Sequence, residues 1–364
     1  MLRIPVYQPD LTGNERSYVL ECLDSTWISS KGRFILEFES GFASYIGAPY
    51  AASVCNGTAA LHLALAALGL GPGDEVIVPS LTYIASVNAI HYVGATPVFA
   101  ESLIDTWQMD PADVERRIGP RTRAVMAVHL YGGACDMDRL SALCARYKLA
   151  LIEDCAEAIG TRIHSQHVGT FGDIATFSFF GNKTLTTGEG GMVTCKDASI
   201  DARLRHLRGQ GLATDREYWH DIVGFNYRMT NICAAIGLAQ LERVDDILRG
   251  KIALATHYRT ALADTPVAFQ ATRKDELSSH WMVTVLTPKA ADRDPLRAEL
   301  AAVGIETRPA FHTVHTMPMY QRDGVNLPIA DDIAARGINL PSWQCLTEKD
   351  RKDIISAVRR YRWI

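Results

Sequence analysis

Short apolar runs alternate with helical patterns from about residue 50 to residue 195, and this alternation constrains the fold more than any other feature of the chain. Glu75 to Pro79, Thr96 to Ala100, Ala124 to Val128, Ala150 to Ile152 and Ala175 to Ser178 read as buried strands. Between them, Thr58 to Leu68, Ile84 to Val93 and Met137 to Tyr147 read as helices. A strand without a polar face needs cover on both sides, and crossover helices provide it. The expected fold class is therefore α/β, a mainly parallel sheet flanked by helices. In such sheets ligands gather at the carboxyl ends of the strands. Apolar spacing predicts one long helix over Thr230 to Leu248. The expected division is a large unit, 1–248, and a smaller C-terminal α/β unit, 249–364. The small unit holds strand-like Trp281 to Leu286 and helix-like Pro295 to Val303. The segment up to about Ser30 either runs along the large unit or returns to the small one.

Composition narrows the function. Hydrophobic residues make up 48% of the 364 and charged residues 21%, enough for a sizeable core and against disorder. The net charge is −4, so no basic field exists to draw nucleic acid or anionic lipid. The eight cysteines form no CxxC pair and no Cys/His cluster, which predicts free thiols in a reducing compartment and no bound metal. No apolar run reaches the ~20 residues that span a bilayer. Met1 to Val6 lead into polar residues rather than a signal-peptide core. The expectation is a cytoplasmic protein with no membrane partner.

The chemistry-bearing residues fall at strand ends. Lys183 closes Ser178-Phe179-Phe180-Gly181-Asn182-Lys183, and the glycine-rich Gly188-Glu189-Gly190-Gly191 follows. The strand-like Leu149-Ala150-Leu151-Ile152 ends on Glu153-Asp154. A lysine on a tight loop with a carboxylate at a strand end suits pyridoxal phosphate. The amine forms a Schiff base, and the carboxylate keeps the pyridine nitrogen protonated so that the ring accepts electrons. Asn56-Gly57-Thr58 opens an apolar helix, where free N–H groups and a hydroxyl would suit a phosphate. The same tripeptide also occurs as an ordinary turn and cap. Ser178 offers another hydroxyl, and Tyr83 a ring to stack on the cofactor or to fill the core. His129, His167 and His312 carry no separable signal.

The ordered set NGTAAL, TYIAS, IEDCAEA, FSFFGNK and GEGG resembles the DegT-type nucleotide-sugar aminotransferases, which use pyridoxal phosphate on the fold-type-I architecture. Ile4 to Pro9, Thr26 to Gly32, Glu306 to Pro309 and His315 to Tyr320 extend the resemblance over almost the whole chain. It implies that Lys183 binds the cofactor covalently and Asp154 pairs with the ring nitrogen. Gly57, Thr58 and Ser178 then hold the phosphate, and Tyr83 stacks on the ring. Glu157 stands near the ring substituents, where many members have Gln; a carboxylate there donates a hydrogen bond only when protonated. Asn226 matches a residue that reaches the phosphate of a neighbouring subunit, which implies a homodimer with shared active sites. Trp27, Ser29, His315 and Tyr320 match positions that line the sugar-nucleotide pocket; for His315 a structural role competes. The implied substrates are L-glutamate and a 4-keto-6-deoxy sugar nucleotide, nearest to GDP-4-keto-6-deoxy-D-mannose aminated at carbon 4. The cofactor would alternate between pyridoxal and pyridoxamine phosphate at one site, with ping-pong kinetics. A UDP- or dTDP-linked keto sugar remains an alternative, as does a non-catalytic regulator that binds the cofactor. Lys183 argues against the related dehydratases, which carry histidine at that position.

Overall fold

The computed structural model describes residues 3–364; Met1 and Leu2 of the N-terminal segment lie outside them. The chain enters through two helices, α1 (Glu15–Asp24) and α2 (Arg33–Ile46), the second ended by Gly47 at φ 81. There follow β1 (Tyr50–Val54), α3 (Gly57–Ala67), β2 (Glu75–Pro79), α4 (Ala85–Tyr92) and β3 (Thr96–Ala100). Then come α5 (Pro111–Arg117), β4 (Thr122–Val128), α6 (Met137–Tyr147) and β5 (Ala150–Asp154). A small hairpin of β6 (Arg162–Ile163) and β7 (Gln166–His167) precedes β8 (Ile174–Ser178), β9 (Gly191–Cys195) and α7 (Ala198–Arg208).

These strands form a seven-stranded sheet in the order β1-β9-β8-β5-β4-β2-β3. The pairs β3–β2–β4–β5–β8 are parallel, and β9 runs antiparallel between β8 and β1. Strands β1 and β8 therefore point the same way, and their carboxyl ends share an edge with that of β5. Both faces are buried. Ile152 and Val193 join a core with α3 and α4, while Leu151, Ala175 and Phe177 join a second core with α2 and α6. This double burial is why these strands read as unbroken apolar runs.

One expected element is corrected. Thr230 to Leu248 is not one helix but two, α8 (Asn231–Leu241) and α9 (Val244–Ala261), broken at Glu242 and Arg243. The N-terminal segment makes the break. Asn14 and the Tyr18 hydroxyl donate to Glu242 at 2.8 and 2.6 Å, and Arg243 reaches Asp10 at 2.7 Å. Arg243 takes φ −117 and ψ 10, outside the helix. Asp245 and Asp246 in the first turn of α9 favour its fresh N-terminus.

The C-terminal portion adds β10 (Ala268–Phe269), β11 (Glu276–Leu277), β12 (Val283–Leu286), α10 (Ala290–Ala302), β13 (Arg308–Pro309), α11 (Pro328–Arg336), β14 (Gly337–Leu340) and α12 (Glu348–Arg360). Four of its strands form the antiparallel sheet β10-β12-β14-β13. Helix α10 starts five residues before the expected Pro295, its first turn anchored by buried Asp292, which accepts from the Ile364 N–H at 2.9 Å. A third core gathers Leu254, Tyr258, Val285, Leu300, Ile338 and Val358. The N-terminal segment serves both halves: Ile4 bridges Ile305 and joins this third core, whereas α1 packs on α8. Among the described residues no helix is long and apolar enough to cross a membrane.

Candidate active site

A cleft of about 550 Å³ opens at the carboxyl ends of β1, β5 and β8. Its lining includes Gly57, Thr58, Tyr83, Asp154, Glu157, Ser178 and Lys183, residues drawn from four segments of the chain. The topology explains the meeting. Val54 pairs with Gly191 and Gly191 with Ser178, so the turn after β1 lies beside the end of β8.

The phosphate-like corner is built at the start of α3. Asn56 caps the helix by accepting the Ala59 N–H at 2.8 Å. A Cβ on Gly57 would stand 2.8 Å from Ser178 Cβ and 3.0 Å from its Oγ, so glycine alone fits there. The helix N-terminus presents N–H groups and the positive end of its dipole, beside the hydroxyls of Thr58 and Ser178. Thr176 Oγ1 and Asn182 Oδ1, both on the cleft, are buried without a hydrogen-bond partner. The N–H groups and hydroxyls of this corner are donors that fit an anionic head; the Asn182 oxygen, an acceptor, is not one of them.

Asp154 ends β5 with its carboxylate fixed twice. Oδ2 accepts from the Ser86 hydroxyl at 2.7 Å and Oδ1 from the Ala156 N–H at 3.1 Å. Thr82 Oγ1 lies 3.1 Å from Ser86 Oγ and continues the chain of hydroxyls. Lys183 is buried on the turn after β8, and its backbone is held by the Tyr7 hydroxyl, which donates to the Lys183 carbonyl at 2.6 Å. Its Nζ stands 3.6 Å from Glu157 Oε1 and 4.0 Å from the centre of the Trp281 ring. The indole of Trp281 donates to the Asn182 carbonyl at 2.7 Å, which fixes its face against the lysine. Burial lowers the affinity of Lys183 for its proton, against the charges of Glu157 and Asp154. Burial likewise pushes Glu157 up to about 7, against the pull of Lys183 and the Tyr131 N–H. Both shifts favour a neutral amine beside a neutral acid.

Tyr83 is 56% exposed at the cleft, its ring 5.6 Å from that of Phe311, so one face is open to a flat ligand. The remaining sequence-derived candidates are not brought to this cleft. Trp27, Ser29 and Asn226 are exposed elsewhere on the chain. Asn231, at the start of α8, holds the Trp27–Ser29 backbone: its side chain donates to the Trp27 carbonyl at 2.7 Å and its N–H to that of Ser29 at 2.6 Å. His315 is buried, with Nδ1 2.7 Å from Ser80 Oγ. Tyr320 is also buried, and its hydroxyl donates to Asn88 at 2.7 Å. Ser86, Trp281, Tyr131 and Tyr7 shape the site without having been singled out as site residues. Ser86 was within reach, since it ends the TYIAS motif. The others lie far from Lys183 in sequence, where no local spacing reveals them.

A lysine and a carboxylate facing one cleft, beside a helix N-terminus that excludes a side chain, can hold a phosphorylated carbonyl cofactor. Comparison with known proteins agrees. The family described as the DegT/DnrJ/EryC1/StrS aminotransferases matches residues 9–359. The chain is similar to a GDP-perosamine synthase of Escherichia coli O157:H7, 55% identical over 99% of each chain. It is also similar to a GDP-perosamine synthase of Vibrio cholerae, 49% identical over 98% of this chain and 99% of that one. Among solved structures, the aminotransferase TlmJ of Streptoalloteichus hindustanus superposes with a TM-score of 0.93 at 31% identity, covering 98% of both chains. The protein Spr1654 of Streptococcus pneumoniae, in its PLP form, superposes with a TM-score of 0.93 at 29% identity, covering 98% of this chain and 97% of that one. The chain belongs to the DegT/DnrJ/EryC1/StrS aminotransferase family.

Proposed function

We propose that this aminotransferase moves the amino group of L-glutamate to carbon 4 of GDP-4-keto-6-deoxy-D-mannose, giving GDP-perosamine and 2-oxoglutarate. The observation that carries the chemistry is the placement of Lys183 and Asp154 on one cleft beside the glycine-gated start of α3. The full-length similarity to two GDP-perosamine synthases supports the sugar.

Pyridoxal phosphate, when bound, supplies the electron sink for the reacting nitrogen. The protein does the rest. Thr58, Ser178 and the N–H groups at the start of α3 grip the phosphate. Asp154, held by Ser86, stabilises a proton on the ring nitrogen. Tyr83 covers one face of the ring. Lys183 Nζ, kept neutral by burial, would take the proton from the α-carbon of the bound amino donor and pass it to the carbon on the far side of the reacting nitrogen. One cleft serves both amino donor and acceptor, so they must bind in turn.

Asn226, Trp27 and Ser29 fit this reading as groups that meet a second copy. Asn226 lies on the loop that also carries Tyr218 and Val223, exposed by 93% and 91%. Apolar exposure of that degree on one loop supports a homodimer whose subunits complete each other's sites.

The test is a panel of 4-keto-6-deoxy sugar nucleotides carried on GDP, UDP and dTDP, read by release of 2-oxoglutarate from glutamate. The GDP-linked mannose derivative is expected to lead in kcat/KM by about 100-fold, the discrimination a polar pocket readily provides. Faster turnover of a UDP- or dTDP-linked sugar would reassign the substrate. Bound cofactor that glutamate never converts would reject the enzyme reading.

A further inference from the structure

We propose that Glu157 is the proton partner of Lys183: its carboxylate takes the proton from the Nζ ammonium and hands it back, so that the buried pair keeps one proton between two sites. In the transfer one N–H bond breaks and one O–H bond forms. The electron pair stays on nitrogen, leaving a neutral amine and a neutral acid. The inference rests on the reading of Lys183 as the cofactor lysine.

The geometry points to Glu157 alone. Among the described residues, the polar and aromatic groups placed against Nζ are its Oε1 at 3.6 Å and the face of Trp281 at 4.0 Å. An aromatic face attracts an ammonium but cannot accept its proton; a carboxylate can. The second oxygen is fixed for the task, since Oε2 accepts the Tyr131 N–H at 2.9 Å. That N–H is aimed by an unusual backbone. Tyr131 sits in the left-handed region at φ 57 and ψ 20, a conformation that persists only where its surroundings enforce it. They do. The Tyr131 ring stacks between Trp281, 11° from parallel, and Phe311, 22° from parallel, and its hydroxyl accepts the Phe311 N–H at 2.9 Å. The next residue, Gly132, packs so closely that a Cβ would stand 2.5 Å from the His280 nitrogen. One aromatic stack thus orients both the carboxyl and the surface that faces the amine.

Asp154 at the end of β5 and Tyr131 on its turn are the other titratable groups facing the pair. Asp154 has both oxygens engaged, by the Ser86 hydroxyl and the Ala156 N–H. A neutral Nζ is the form that attacks a carbonyl or accepts a proton from carbon. Glutamine here could hydrogen-bond the amine but never relieve it of a proton.

The experiment is trace labelling of the cofactor-free, full-length chain with acetic anhydride across a pH series, with the Lys183 peptide quantified by mass spectrometry. Two sites sharing protons titrate in two macroscopic steps. Labelling of the wild type is therefore expected to rise to a partial plateau, where the proton is shared, and then to full reactivity. Glu157→Gln is expected to rise in a single step. A single-step wild-type curve overturns the proposal, whether or not the variant folds. In the holoenzyme, the acid limb of kcat/KM should move by at least about one pH unit in Glu157→Gln, with KM changed less than about threefold; an unmoved limb counts against the proposal. A two-step labelling curve together with cofactor trapped on a different lysine would leave the proton pair standing and remove the cofactor reading.

Discussion

Glu153 and Glu157 are both buried, 0% and 4% exposed, yet they hold their protons in opposite ways. Glu153 points from β5 into the core between the sheet and α2. There it accepts the N–H groups of Gly169, Phe171 and Gly172 at 2.7, 2.8 and 2.7 Å, and the His129 ring at 3.1 Å. His129 Nδ1 accepts the Cys135 N–H, so its Nε2 carries the hydrogen that faces Glu153. Burial opposes the charge of Glu153, but His129 and the backbone donors outweigh it and hold the carboxyl below its usual range. Glu157 has one backbone donor and a lysine whose own charge burial disfavours, and it is pushed up to about 7. The number of aimed donors, rather than the depth of burial, decides which carboxylate is structural and which is poised for chemistry. Asp154, next to Glu153 but on the other face of the strand, turns into the cleft because side chains alternate along β5.

The contrast is most exposed to failure in stability. Glu153→Gln sets an amide NH₂ against backbone donors and is expected to cost about 3 kcal/mol at neutral pH. Glu157→Gln is expected to cost less than about 1 kcal/mol, because a neutral isostere replaces a group that burial already neutralises. The signs with pH differ as well. The folded-state affinity of Glu153 is depressed, so its contribution is present above the usual carboxyl value of 4.5 and is lost as pH falls through its folded value. That of Glu157 is raised, so its contribution is present below 4.5 and is lost as pH rises from 4.5 towards 7. Urea unfolding of both variants and the wild type at acidic and neutral pH checks this. Parallel pH curves for the two variants would dissolve the distinction.

A smaller effect tests the third carboxylate. Ser86→Ala removes the donor to Asp154 Oδ2 and leaves that oxygen buried beside an empty site. Cofactor affinity, followed by absorbance titration, should weaken by about tenfold, the equivalent of one charge-assisted hydrogen bond of ~1.4 kcal/mol. Unchanged affinity would show that Asp154 needs no help from α4.

Much of this was legible in the chain itself. Five of the seven strands of the large sheet, β2, β3, β4, β5 and β8, announced themselves because burial on both faces leaves no polar positions to interrupt the apolar run, whereas β1 and β9 were not read as strands. Lys183, Asp154, Gly57 and Ser178 could be picked out because each sits at a strand end or helix start, where the backbone leads it to one edge. What escaped depends on distant partners. The break at Glu242 and Arg243 is imposed by Asp10, Asn14 and Tyr18, and the apolar spacing runs through it undisturbed. Trp281 reaches Lys183 from the bend before β12, and Tyr131 serves Glu157 through a left-handed turn that no residue pattern signals. His315 and Tyr320 carried a resemblance to pocket residues, but their polar atoms are engaged with Ser80 and Asn88.

The account stands on a covalent link between pyridoxal phosphate and one side chain. Reducing the cofactor-loaded protein with borohydride and mapping the modified peptide tests it directly. The account predicts that the tag lies on Lys183 alone and that Lys183→Ala takes up no tag and turns over no glutamate. A tag on another lysine, or full turnover by Lys183→Ala, would contradict it.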